Sequence, residues 1–126
     1  MKKILLITPH LSTGGLPQFL LEKIENLISD FDLYCVEWQN ITGGVLVVQR
    51  SKIEKILKNK FFSLGEDKSE LLNIIDKVKP DIIHFEEFSE SFVDNTVLRS
   101  IYQQNNYYIT ETTHGTYFKP EDKLYI

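Results

Sequence analysis

The chain has 126 residues, 42% of them hydrophobic and 25% charged, and a formal charge of −4. That length suits a single domain able to bury roughly two-thirds of its unfolded surface, and the negative balance gives no reason to expect a nucleic-acid partner or an anionic membrane. The single Cys35 admits no internal disulfide, which fits a reducing compartment, and no apolar run approaches bilayer-spanning length.

The opening MKKILLITPH carries the lysines of a signal peptide, but its apolar run is too short and stops at Pro9. The expected location is therefore the cytoplasm, where the Asn40-Ile41-Thr42 sequon has no meaning. Lys3 to Thr8 reads as a strand buried on both faces. Leu16, Phe19, Leu20, Ile24, Leu27 and Ile28 then form a helical stripe, with Ser12 or Thr13 as cap and Pro17 tolerated in the first turn.

Phe31 to Gln39 and Gly44 to Arg50 read as two strands of a hairpin joined at Asn40 to Gly43. A short amphipathic segment, Ser51 to Lys58, and a brief strand, Phe61 to Leu64, follow. Asp67 or Ser69 caps the next helix, whose stripe is Leu71, Leu72, Ile75 and Val78 and whose stop is Pro80. DIIHFEEF is a strand, Phe92 to Gln104 a helix with Val97, Leu98, Ile101 and Tyr102 inward, and NYYITETTHG the last strand. The alternation predicts an α/β fold, a Rossmann-like doubly wound and mostly parallel sheet with helices on both faces and an antiparallel hairpin added. One domain, 1–126, is expected.

Three polar clusters lie just past predicted strand ends: Thr8 to Gly15, His84 to Glu87, and Thr112 to Gly115. In a sheet of order 3-2-1-4-5 those strands are neighbours, so the clusters meet at the rim where such sheets bind ligands. Gly14 and Gly15, at a helix N-terminus, either permit a turn or let a phosphate approach the backbone. Neither dinucleotide-binding nor Walker spacing is present. His84 and Glu86 share a strand face and suit either hydroxyl recognition or a solvated strand end. His114 fits a general base, a sugar hydrogen-bond donor or a loop cap, while His10 either points into the same cleft or only redirects the chain. No metal-ligand set and no Ser/His/Asp constellation can be assembled.

The ordered segments STGGLPQFLLEKIENL, KPDIIHFEEF and YYITETTHGT resemble the N-terminal half of family 4 retaining glycosyltransferases, the glycogen-synthase-like group with the GT-B architecture. The resemblance spans nearly the whole chain. It implies that the chain is an N-terminal, acceptor-side domain. The C-terminal nucleotide-sugar domain would be missing, and the domain alone would be inactive. Gly14 and Gly15 would then approach the donor diphosphate, His84, Glu86 and His10 would line the acceptor side, and His114 would lie near the transferred sugar as the catalytic candidate. The implied partners are a nucleotide-sugar, an acceptor sugar or glycoconjugate and the second domain, with no cofactor in this half and membrane association only through the acceptor. Two departures stand out: Glu86 replaces the second histidine of the usual H-x-H, and Ser12 replaces the lysine of K-T-G-G-L. A non-catalytic binding or interaction domain on the same fold is the alternative, and a small flavodoxin-like phosphate or flavin binder a third reading.

Overall fold

The computed structural model describes residues 1–11, 15–39, 48–86 and 95–112. Within them, β1 (Lys3–Thr8), α1 (Gly15–Leu27), β2 (Asp32–Glu37), α2 (Val48–Leu57), β3 (Phe61–Ser63), α3 (Glu70–Val78), β4 (Ile82–Glu86), α4 (Asn95–Gln103) and β5 (Tyr108–Thr112) succeed one another. A single 3-10 turn, Lys58–Lys60, joins α2 to β3. The strands form one sheet of order β3-β2-β1-β4-β5, and every described pairing is parallel. The chain is thus an α/β, Rossmann-like domain. Its strand order reverses between β1 and β4, the place where open parallel sheets form a ligand crevice.

Strand alternation divides the core in two. Ile4 and Leu6 of β1, with Leu33 and Cys35 of β2, pack under Leu20, Leu21 and Ile24 of α1 and Ile53 and Leu57 of α2. Leu5 and Ile7, with Val36, Ile83 and Phe85, pack under Leu71 and Ile75 of α3 and Val97, Leu98 and Ile101 of α4. The central strands are apolar on both faces because both faces are covered by helices. Burial pushes the Cys35 thiol far above its ordinary pKa, so it is a core residue with little thiolate to react.

Several expectations shift by a residue or two. The buried side of α1 runs through Leu20, Leu21 and Ile24, while Phe19 and Ile28 stand partly exposed. The helical face is rotated towards Leu21, which lies under α2's side of the sheet. In α3, Leu71, Ile75 and Val78 are buried. Ser69 is the N-cap residue, but its side chain makes no cap bond; instead the Asp67 carboxylate accepts from the Ser69 backbone N–H at 3.1 Å and its hydroxyl at 2.5 Å. The helix ends with Lys79 in the left-handed region, φ 53°, immediately before Pro80, which disfavours helix at the residue ahead of it.

One element is different from the prediction. Val48 to Arg50, expected as the end of a hairpin strand, are the first turn of α2. The β-branched run argued for a strand, but Ile53 and Leu57 recur at helical spacing and are buried on the α1 side. Packing of that stripe overrides local propensity. The helical setting also lets Arg50 reach Glu54 one turn on. The remainder of the expected second strand and its turn, 40–47, lies outside the described residues.

Candidate functional site

At the carboxyl edge of the sheet, three elements bring polar side chains together on the α1 side. His84 and Glu86 share that face of β4, and Thr110 and Thr112 are their register partners on β5. Lys23 arrives from α1. Helical side chains lean towards the helix N-terminus, so a lysine roughly two turns into α1 is directed back to the rim where that helix begins.

Glu86 is fully buried and stands at the centre. Its Oε1 takes an ion-paired hydrogen bond from Lys23 Nζ and lies 3.0 Å from His84 Nε2. Lys23 Nζ also donates to Thr112 Oγ1 at 3.1 Å. His84 Nδ1 is 2.6 Å from Thr110 Oγ1 and Nε2 is 3.0 Å from Thr112 Oγ1. A carboxylate oxygen can only accept, so we assign the proton to Nε2, donating to Glu86, and leave Nδ1 to accept the Thr110 hydroxyl. Two donors then converge on one oxygen, which accounts for the 3.2 Å between Lys23 Nζ and His84 Nε2. Burial alone would raise the Glu86 carboxyl, but the hydrogen bonds from His84 and Lys23 and the lysine's charge outweigh it and hold the group below the usual glutamate range. Lys23 and His84 keep 18% and 16% of their side-chain surface exposed, so solvent or a ligand reaches the cluster past them.

A second fully buried carboxylate, Glu37, ends β2 on the other side of β1. Its Oε2 accepts the Leu11 backbone N–H at 2.9 Å. Its Oε1 accepts from Arg50 Nε at 3.0 Å and from Ser63 Oγ at 2.8 Å. This carboxylate therefore fixes the chain leaving β1, the start of α2 and the end of β3 at one point.

The residues singled out from the sequence fare differently. His84 and Glu86 are brought together, with Thr112 beside them. Gly15 is the first residue of α1, at the rim. His10 follows β1 and its carbonyl accepts the Thr8 hydroxyl at 3.4 Å. Gly14 and His114 lie outside the described residues. Sequence reasoning passed over Lys23, Thr110 and Glu37. Lys23 had a usable signal: it falls one turn beyond Phe19 and between the buried Leu20 and Ile24, so it borders the buried side of α1, and its ammonium sits 4.8 Å from the Phe19 ring centroid. Among the described residues no group of three His, Cys, Asp or Glu side chains is placed to hold a metal ion.

No family model matches the sequence, and no curated protein matches it either. Among solved structures, the chain is similar to a lipopolysaccharide core biosynthesis protein from Thermoplasma volcanium GSS1, with a TM-score of 0.50 and 18% identity over 89% of this chain and 98% of that one. At that identity the likeness supports the Rossmann-like fold. Among the described residues no helix is long and apolar enough to cross a membrane.

Proposed function

We propose that this chain is the acceptor-side domain of a retaining glycosyltransferase of the family 4, GT-B type, which moves a sugar from a nucleotide-sugar to a hydroxyl of a sugar or glycoconjugate. The observation that carries this reading is the Lys23–His84–Glu86–Thr112 cluster at the β1/β4 reversal, assembled from the segments whose order resembles that family. The biosynthetic role in the name of the structural neighbour points in the same direction. Gly14 and Gly15 would admit the donor diphosphate to the N-terminus of α1, where free N–H groups and the helix dipole favour an anion. His84 and Thr112 would present hydrogen-bonding atoms to the acceptor, and His114 would lie beside the transferred sugar.

Lys23 gives Glu86 a definite part in that scheme. The ammonium compensates the carboxylate, so the acceptor side is polar without a net charge of its own and suits a neutral hydroxyl. The proton of the acceptor would leave with the departing phosphate, as expected for front-face retention, and the domain would supply orientation rather than a carboxylate nucleophile.

The product of the complete reading frame, incubated with a panel of nucleotide-sugars, should release nucleoside diphosphate. Gly15→Val should cut that release by at least about 100-fold, because a branched side chain blocks the close approach on which the phosphate site depends. Undiminished turnover in that variant would remove the phosphate role. A second reading, a non-catalytic binding domain, draws support from one feature: Lys23 and His84 are already bonded to Glu86 Oε1 and close to each other. Ligand binding without diphosphate release from any donor would favour it.

A further inference from the structure

We infer that one flank of α3 and the outer edge of β3 form an isologous docking surface for a second copy of this chain. β3 lies at one end of the sheet, and among the described residues β2 is its only strand partner. The Leu64 N–H donates to the Glu37 carbonyl of β2 at 2.9 Å. Strand alternation then turns the N–H and C=O of Ser63 to the open side. Phe61–Ser63 carries neither a proline nor a charge, the devices that keep an edge from pairing.

A groove of about 510 Å³ runs between this edge and α3. Phe62, Leu64 and Ile74 line it, and all three belong to the core on the α3 side of the sheet. Phe62 and Ile74 are only half-buried, so they keep apolar surface that the described fold does not cover. Glu70, Asn73 and Lys77 border the groove and are exposed. With Ile74 they stand at i, i+3, i+4 and i+7 of one helix, which sets them on one flank.

The order of the charges selects the occupant. Glu70 lies in the first turn of α3 and Lys77 in the last, two turns or about 10 Å apart. Among the described residues neither has an ion-pair partner. A two-fold axis between Asn73 and Ile74 lays a second α3 antiparallel on the first. Glu70 then meets Lys77 of the partner subunit at each end, and the two Ile74 side chains meet near the centre. The helix dipole also favours an acid first and a base last, but it does not require them to share a flank with apolar residues between. The second copy would also shield the open edge of β3. The candidate site lies on the α1 side of the sheet, so both copies keep it open and dimerisation is independent of sugar transfer.

Sedimentation equilibrium tests the inference directly. The chain should show a reversible monomer–dimer equilibrium that shifts towards monomer as salt rises. Glu70→Lys and Lys77→Glu each place like charges at both ends and should weaken dimerisation at least about tenfold. The double variant Glu70→Lys/Lys77→Glu remakes both pairs in reverse and should dimerise as the parent does, although it opposes the helix dipole. Gly65 lines the same groove, and a Cβ added there meets nothing within 4 Å. Gly65→Trp should therefore keep the parent's circular dichroism and abolish the dimer by filling the groove. A monomer at every concentration, single charge variants that dimerise like the parent, a folded double variant no better than either single, or a dimer that survives Gly65→Trp would each overturn the inference.

Discussion

Two buried carboxylates flank the end of β1, and they are used in opposite ways. Glu37 accepts from a backbone N–H, a serine and an arginine, each on a different element. It is an anchor, and its partners are parts of the scaffold. Glu86 accepts from Lys23 and His84, two side chains that, like Arg50, keep part of their surface in solvent, and no backbone donor takes part in the bonds to Oε1. Its partners are groups that can exchange one contact for another when a ligand arrives. Equal burial and equal charge thus give a joint on one side of the strand and a poised polar cluster on the other. What separates them is the partner: a backbone amide cannot turn away, whereas an ammonium and an imidazole can.

The largest effect that would break this contrast is on stability. Glu37→Ala leaves Arg50 half-compensated and the buried Leu11 N–H without its acceptor, and should cost about 3–5 kcal/mol in urea unfolding. A loss below about 1 kcal/mol would deny Glu37 its anchoring role.

Lys23→Met is the sharper probe of the other carboxylate. It should cost about 1–3 kcal/mol at neutral pH, because the buried Glu86 carboxylate loses its ammonium counter-charge. The folded-state pKa of Glu86 is lowered, so its stabilisation is present above the unfolded value near 4.5 and is lost as pH falls through the folded value. The gap between Lys23→Met and the parent should therefore narrow on acidification below about pH 4.5. A gap independent of pH would show that the lysine acts through its packing on Phe19 instead.

Smaller effects on folding are expected at the partly exposed members. His84→Ala should lower stability by about 1 kcal/mol and Thr112→Val by less, while both should weaken the response to sugar ligands by about tenfold or more. If either variant bound ligand normally, the cluster would be a structural joint like that of Glu37, and the contrast would disappear.

The sheet was legible because its central strands carry apolar residues on both faces and its helices carry apolar residues at helical spacing. The rim was partly legible. His84 and Glu86 announce themselves by sitting two apart at a strand end, but Lys23 is joined to them only through the crossover that lays α1 over the β1/β4 boundary. Glu37 was invisible for the same reason, since its partners Leu11, Arg50 and Ser63 come from three separate elements. The start of α2 reads as strand because a run of valines after a glycine turn signal favours a hairpin, and its helix depends on burial of Ile53 and Leu57 on the α1 side.

The central claim is that the α1–β4–β5 rim is a sugar-transfer site. Its most direct test is an amide chemical-shift titration of the labelled chain with nucleotide-sugars and with neutral oligosaccharides. The account predicts shifts concentrated at Leu11, Gly15, His84 to Glu86 and Thr110 to Thr112, and their loss in Lys23→Met and His84→Ala. Shifts confined to other surfaces, or an undiminished response in those two variants, would contradict it.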